Sequence, residues 1–236
     1  YSHRALLITT GACAVHCRYC FRRHFAYHEA PTGPAGWRPA VEAIRADCSL
    51  EEVILSGGDP LSVRDSSLEL LINSLDAIPH VKRIRIHTRF PVMIPERICN
   101  PLLQWVSHSR CAVYFVLHFN HAAEIDDDVR QAMHRLRSAG ATLLNQAVLL
   151  RGINDSLDAQ LGLCRSLIDL QILPYYLHQL DPVQGGMHFE VPDAEALRII
   201  EGLKSALPGY GIPKLVREIA SQPHKVDVGY PERSAE

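Results

Sequence analysis

Two hydrophobic periods alternate regularly from one end of this chain to the other, and this constrains it more than any other feature. Apolar, β-branched runs at Ala5–Thr9, Glu52–Leu55, Ile84–His87, Ala112–Leu117, Thr142–Leu150 and Pro174–His178 read as strands. Helical spacing occupies Pro39–Ala46, Ser66–Ala77, Pro95–Ser107, Asp127–Ala139 and Ser156–Leu170. It returns from Pro192, with Asp193 as cap, to Leu207. Asp65-Ser66 and Asn154-Asp155-Ser156 supply helix starts and Gly140 a stop. Strands separated by helices pair in parallel through right-handed crossovers. The pattern therefore predicts an α/β fold, either a doubly wound sheet or a partial, six-stranded β/α barrel. No linker, repeat or low-complexity run divides the 236 residues, so a single domain over 1–236 is expected, with a short irregular tail over 209–236.

Composition excludes several function classes. With 47% hydrophobic and 21% charged residues and a net charge of −2, the chain is neither disordered nor a polybasic nucleic-acid binder. That near-neutral charge suits a small-molecule substrate. No run approaches the roughly 18 apolar residues of a membrane span, and no charged-then-apolar leader opens the chain. A cytoplasmic protein without membrane or nucleic-acid partners is expected, with homo-oligomerisation left open. Tyr1 is not an initiator Met and a strand pattern begins by Arg4, so the expectation is a core that lacks an N-terminal part.

Seven cysteines, an odd number without a secretory signal, argue against a disulfide framework. Cys48, Cys99, Cys111 and Cys164 stand singly and read as small buried residues. The others crowd into Cys13-Ala-Val-His-Cys17-Arg-Tyr-Cys20, directly after the first strand. Three thiols at this spacing suit an iron–sulfur cluster with one iron left open. The alternative is a structural zinc site with His16 or His24 as fourth ligand. In a parallel β/α barrel, chemistry sits at the C-terminal strand ends. Those ends carry the cysteine loop, Ser56-Gly57-Gly58-Asp59-Pro60, His118, Asn120 and His121, Gln146 on the fifth strand, and His178 and Asp181 after the sixth.

The combination of C-x3-C-x2-C, with Tyr19 before the third cysteine, and Gly-Gly-Asp-Pro after the second strand resembles the radical S-adenosylmethionine (SAM) superfamily. Further strings are Cys20-Phe-Arg22-Arg23-His24-Phe25, His87-Thr-Arg-Phe-Pro91-Val, His118-Phe-Asn-His121 and Pro174-Tyr-Tyr-Leu-His178-Gln-Leu-Asp181. Across nearly the whole chain these resemble lysine 2,3-aminomutase. Leu-His-Gln-Leu-Asp-Pro-Val-Gln-Gly and Pro-Lys-Leu-Val-Arg-Glu-Ile are most similar to the bacterial branch that makes (R)-β-lysine for modification of elongation factor P.

The resemblance implies a partial (β/α)6 barrel of the radical SAM type that converts L-lysine to (R)-β-lysine. It implies a [4Fe–4S] cluster on Cys13, Cys17 and Cys20, SAM beside Ser56, Gly57, Gly58, Asp59, His118 and Gln146, and pyridoxal 5′-phosphate (PLP). Only four lysines exist, Lys82, Lys204, Lys214 and Lys225, and Lys225 coincides with the family's PLP lysine. Tyr1 and Arg4 fall where the family binds the PLP phosphate, and His178 beside the PLP ring. Arg22 would take the substrate carboxylate, while Asp181 and Glu218 would take its ε-ammonium. Implied partners are an external electron donor such as a flavodoxin or ferredoxin, and elongation factor P with its lysyl-transferring enzyme. The chain departs from the family at Glu218, which is Asp in the catabolic enzymes. It departs again at Ala220-Ser-Gln-Pro-His224, which replaces a glycine-rich run, and it lacks their cysteine tail. The alternatives are a lysine 2,3-aminomutase of lysine catabolism and a non-catalytic zinc-binding β/α protein.

Overall fold

A computed structural model describes residues 2–27, 32–220 and 222–229. Its elements follow the predicted alternation: β1 (Arg4–Thr10), α1 (Gly33–Ala46), β2 (Glu52–Gly57), α2 (Asp65–Asp76), β3 (Arg83–Thr88), a single turn α3 (Phe90–Met93), α4 (Asn100–His108) and β4 (Ala112–Leu117). Then come α5 (Asp127–Ser138), β5 (Thr142–Val148), α6 (Leu157–Asp169), β6 (Leu173–His178), α7 (Asp193–Ala206), β7 (Lys214–Arg217) and β8 (Val226–Asp227). The strands lie in the sheet in chain order from β1 to β8, and this order has two ends, as in a partial rather than a closed β/α barrel.

Contacts divide the chain into two compact units: Tyr1–Cys17, Arg22–His118 and Ala123–Leu144 form one, and Arg18–Phe21, Phe119–Ala122 and Asn145–Glu236 the other. In the first unit β1 to β4 pair in parallel, residue against residue, with one register shift between Ile8 and Thr10. Alternate strand residues Val53, Leu55, Ile84, Ile86, Val113 and Phe115 are buried, as a two-residue side-chain period requires when helices cover one face. The covering helices bury stripes at helical spacing, Leu68, Leu71, Ile72 and Leu75 on α2 and Leu102, Trp105 and Val106 on α4. In the second unit, α6 and α7 bury Leu163, Cys164 and Leu167, and Ala196, Ile199, Ile200 and Leu203.

The differences from expectation have local causes. Helix α1 starts at Gly33, not Pro39, and tolerates an internal proline. Its Trp37 is buried and donates Nε1 to Thr9 O at 3.0 Å, so tertiary packing holds a turn that propensity disfavours. Pro95–Arg97 forms a separate 3-10 turn, and α4 begins at Asn100 after an extended Cys99. Asp193 does not cap α7 but opens it, and its carboxylate instead accepts from Arg217 Nη2 at 2.6 Å and Gln179 Nε2 at 2.7 Å. The expected irregular tail contains β7, parallel to β6, and β8, antiparallel to β7. Leu215 and Val216 are buried there, enough to make a short edge of sheet from a segment with no alternation to announce it. Among the described residues no helix is long and apolar enough to cross a membrane.

Phe115 has no exposed surface and stacks on Trp105 at 6.5 Å between ring centroids. Phe115→Ala is expected to lower unfolding free energy by about 3–5 kcal/mol, read from the urea midpoint at an unchanged denaturant slope.

Candidate active site

In the first unit the glycine string joins two loops backbone to backbone. Gly58 N donates to Thr10 O at 2.8 Å and Asp59 N to Ala12 O at 2.9 Å, locking the loop after β2 onto the root of the cysteine loop. A Cβ on Gly58 would lie 2.2 Å from Ala12 O, and one on Gly57 2.3 Å from Thr10 O. Gly57 also has φ +133°, which side chains disfavour. The Tyr27 hydroxyl donates to Gly57 O at 2.5 Å, tying the far end of the cysteine loop to the same turn.

Asp59 is 2% exposed and its carboxylate is taken up internally. Oδ1 accepts from Leu61 N at 3.0 Å and Thr88 Oγ1 at 2.7 Å, and Oδ2 from Arg89 N at 2.8 Å. Burial pushes this carboxyl above its ordinary range, opposed by those hydrogen bonds. Thus Asp59 ties the ends of β2 and β3 together.

Arg89 lies within His87-Thr-Arg-Phe-Pro91, where the sequence alone gives it no role. Its Nη1 donates to His118 O at 2.7 Å and its Nη2 pairs with Glu124, which anchors the end of β4. His118 Nε2 is shut off from solvent without a hydrogen-bond partner among the described residues. Burial, then Arg89 and Arg22, push His118 down to about 4, so it is neutral near pH 7. Arg22 Nη1 donates to Ser56 Oγ at 2.8 Å, which gathers Arg22, Ser56 and His118 in this unit. Arg4 is exposed at the first residue of β1, about 20 Å of strand before Thr10. Tyr1 lies outside the described residues.

Among the described residues no cysteine is in a disulfide; Cys13, Cys17 and Cys20 are each half-buried, and Cys13 Sγ donates to Val15 O at 3.0 Å. Among the described residues no three His, Cys, Asp or Glu side chains are gathered closely enough to hold a metal ion. The loop is made of turns and bends, so its thiols are set by loop conformation rather than by a helix or strand. Of the four cysteines read as buried, Cys111 and Cys164 are, with thiols that burial pushes up to about 12. Cys48 is exposed and Cys99 half-buried.

In the second unit the β7–β8 pairing sets the lysine. Val226 faces Arg217, so Glu218 and Lys225 stand at the two ends of the connection between β7 and β8, and Lys225 Nζ donates to Glu218 Oε2 at 2.9 Å. Asp181 joins them electrostatically: burial raises its carboxyl first and the Glu218 charge second, while Lys225 opposes both. Lys225 Nζ lies 5.8 Å from the centroid of Tyr176, whose ring meets that of His178 edge-on at 5.6 Å. The structure thus brings together Lys225, Glu218, Asp181 and His178, and adds Tyr176, which the sequence had not singled out. Gln146 is half-buried on β5.

No family model matches the chain. Two solved structures share its fold. One is a radical SAM methyltransferase from Sphaerobacter thermophilus, with TM-score 0.62 and 15% identity, covering 91% of this chain and 66% of that one. The other is native anSMEcpe with bound AdoMet and Cp18Cys peptide, with TM-score 0.63 and 10% identity, covering 86% and 58%. The fold is that of the radical SAM enzymes. Sequence relatives narrow the class. L-lysine 2,3-aminomutase of Escherichia coli (strain K12) is 49% identical over 225 residues, which are 95% of this chain and 66% of that protein. The Haemophilus influenzae enzyme of the same name is 48% identical, over 95% and 67%. That of Clostridium subterminale is 39% identical, over 92% and 52%. The chain belongs to the lysine 2,3-aminomutase family, and spans about two thirds of the first two relatives and half of the third.

Gly58→Ala is expected to abolish SAM binding in isothermal titration, because the carbonyl its Cβ would strike is backbone that cannot swing aside. His118 sets a pH signature. A base whose folded value is depressed stabilises the fold above its unfolded value, near 6.5, and that stability is lost as pH falls to about 4. The raised Asp59 acts in the opposite direction, gaining on acidification. Comparing wild type with His118→Gln isolates the histidine, and urea midpoints between pH 7 and pH 4 are expected to fall less in the variant.

Proposed function

We propose that the chain is the radical SAM core of a PLP-dependent L-lysine 2,3-aminomutase that makes (R)-β-lysine, with residues 1–236 as one such domain. The observation that carries this reading is the Lys225–Glu218–Asp181 cluster in a chain 49% identical to an L-lysine 2,3-aminomutase. The residues fit the groups the activity needs. Cys13, Cys17 and Cys20, none in a disulfide, share one loop and would offer a cluster three ligands with one iron left open once the loop draws them together. His118 Nε2, without a hydrogen-bond partner among the described residues and neutral near pH 7, would offer SAM a hydrogen-bond group. Lys225 is the lysine that the β7–β8 turn sets beside two carboxylates. When bound, the cluster with SAM supplies hydrogen abstraction, and PLP supplies an electron-accepting carbonyl.

This chain's own residues have distinct tasks in that chemistry. Lys225 would hold PLP through its amine. Asp181 and Glu218 receive the ε-ammonium of lysine and reject a carboxylate side chain of glutamate in its place. Arg22 receives the α-carboxylate with its planar guanidinium. As the resemblance implies, Arg4 and Tyr1 would take the PLP phosphate, His178 would lie by its ring, and Gln146, Ser56 and the Gly57-Gly58 backbone would hold SAM. Asp59 holds that backbone in place.

The physiological reading is supply of (R)-β-lysine for elongation factor P in the cytoplasm, with a flavodoxin or ferredoxin as electron donor. It rests on the resemblance of Leu-His-Gln-Leu-Asp-Pro-Val-Gln-Gly and Pro-Lys-Leu-Val-Arg-Glu-Ile to the branch that supplies that modification. The test is anaerobic reconstitution with iron, sulfide and PLP, followed by L-lysine, SAM and a reductant, with chiral chromatography of the product. (R)-β-lysine is expected from the wild type, and a loss of at least about 1,000-fold in both Lys225→Ala and Cys17→Ala. Cleavage of SAM with lysine untouched would overturn the substrate assignment, and zinc in place of iron would overturn the radical reading.

A further inference from the structure

Four buried amide side chains of the second unit form a connected hydrogen-bond chain that ends on the cysteine loop. Asn145, Asn120, Asn154 and Gln160 are 2%, 4%, 0% and 1% exposed. Asn145 grips Phe119 from both sides, accepting from its N at 2.8 Å and donating to its O at 3.1 Å. Asn154 Nδ2 donates to Asn120 O at 2.8 Å and Val148 O at 2.9 Å, while its Oδ1 accepts from Leu150 N at 2.7 Å. Gln160, at the start of α6, closes the chain by donating Nε2 to Asn154 O at 2.8 Å.

The orientation of Asn120 follows from donor and acceptor matching. Val148 N–H lies 2.8 Å from its side chain and needs an acceptor, so Oδ1 faces Val148 and Nδ2 points the other way. There Nδ2 donates to the hydroxyl of Tyr19. The amide-to-backbone bonds are explained by folding alone, since irregular backbone buried after β4 and β5 must find partners. The bond to Tyr19 is not, because a half-buried phenol on a turn can be satisfied by water. Tyr19 is the residue immediately before Cys20, in a loop without helix or strand.

We propose that Asn120 is a positioning residue for the cysteine loop: through the Tyr19 hydroxyl, the buried amide chain presents Cys20 for cluster binding. This rests on the reading of the cysteine loop as a cluster site. A rigid tie of this kind reduces the loop conformations that ligation must select among, so its loss should appear as weaker cluster retention with the fold unchanged.

The experiment compares anaerobically reconstituted wild type, Tyr19→Phe, Asn120→Ala and the double variant. It measures iron release to a chelator, the electron paramagnetic resonance spectrum of the reduced cluster, and thermal unfolding. Tyr19→Phe removes one oxygen and keeps the ring, so it tests the tie even if Asn120→Ala folds poorly. Each single variant is expected to release iron about fivefold faster, the equivalent of about 1 kcal/mol, with a shifted spectrum. The double variant is expected to be no faster than either, as for two ends of one bond. Tyr19→Phe with wild-type release and spectrum, beside a wild type that holds its cluster, would overturn the positioning role and leave the cluster reading standing. Additive effects in the double variant would also overturn it. A wild type that holds no cluster would overturn the cluster reading and this proposal with it.

Discussion

The contact on which the first unit depends is an approach of bare backbone to backbone, the loop after β2 against the root of the cysteine loop. Gly58 N reaches Thr10 O and Asp59 N reaches Ala12 O only because no Cβ stands on either glycine. Once that approach is made, Asp59 is carried into the interior, where its carboxylate collects Leu61 N, Thr88 Oγ1 and Arg89 N. Arg89, so placed, reaches the end of β4 at His118 O. Three strand ends are therefore set by one turn. The Asp59 carboxylate is satisfied by these donors, and leaving it unpaired in the interior would cost about 1–3 kcal/mol.

The same arrangement sets the electrostatics. His118 sits where burial and two arginines disfavour its cation, which leaves a neutral imidazole with an uncommitted nitrogen. In the second unit the balance is reversed. Asp181 and Glu218 repel one another, and Lys225 relieves that repulsion. One unit holds a neutral imidazole and the other two carboxylates beside a lysine.

Legibility differed from residue to residue. The alternation that defined the strands was plain because burying one face forces a two-residue period in strands and a wider one in helices. The cysteine loop and the glycine string were plain because their chemistry is written in consecutive residues. Arg89 and Tyr176 were not legible, since nothing in their neighbours states which carbonyl or ring they will meet. The C-terminal hairpin was missed because β7 and β8 are too short for a period to show, and they exist only because β6 offers an edge to pair with.

The sequence by itself determined the class of fold, the three candidate cluster ligands and the small set of lysines from which Lys225 could be chosen, because each of these depends on local pattern or count. Only the tertiary structure decided that Asp59 is spent on the scaffold and that Lys225 meets Glu218 across a hairpin. It also decided that a buried amide chain ends on Tyr19. Those outcomes depend on which backbone groups are brought together and left needing partners, and pairing across roughly 100 residues, as between Asn120 and Tyr19, has no signature in the order of the chain.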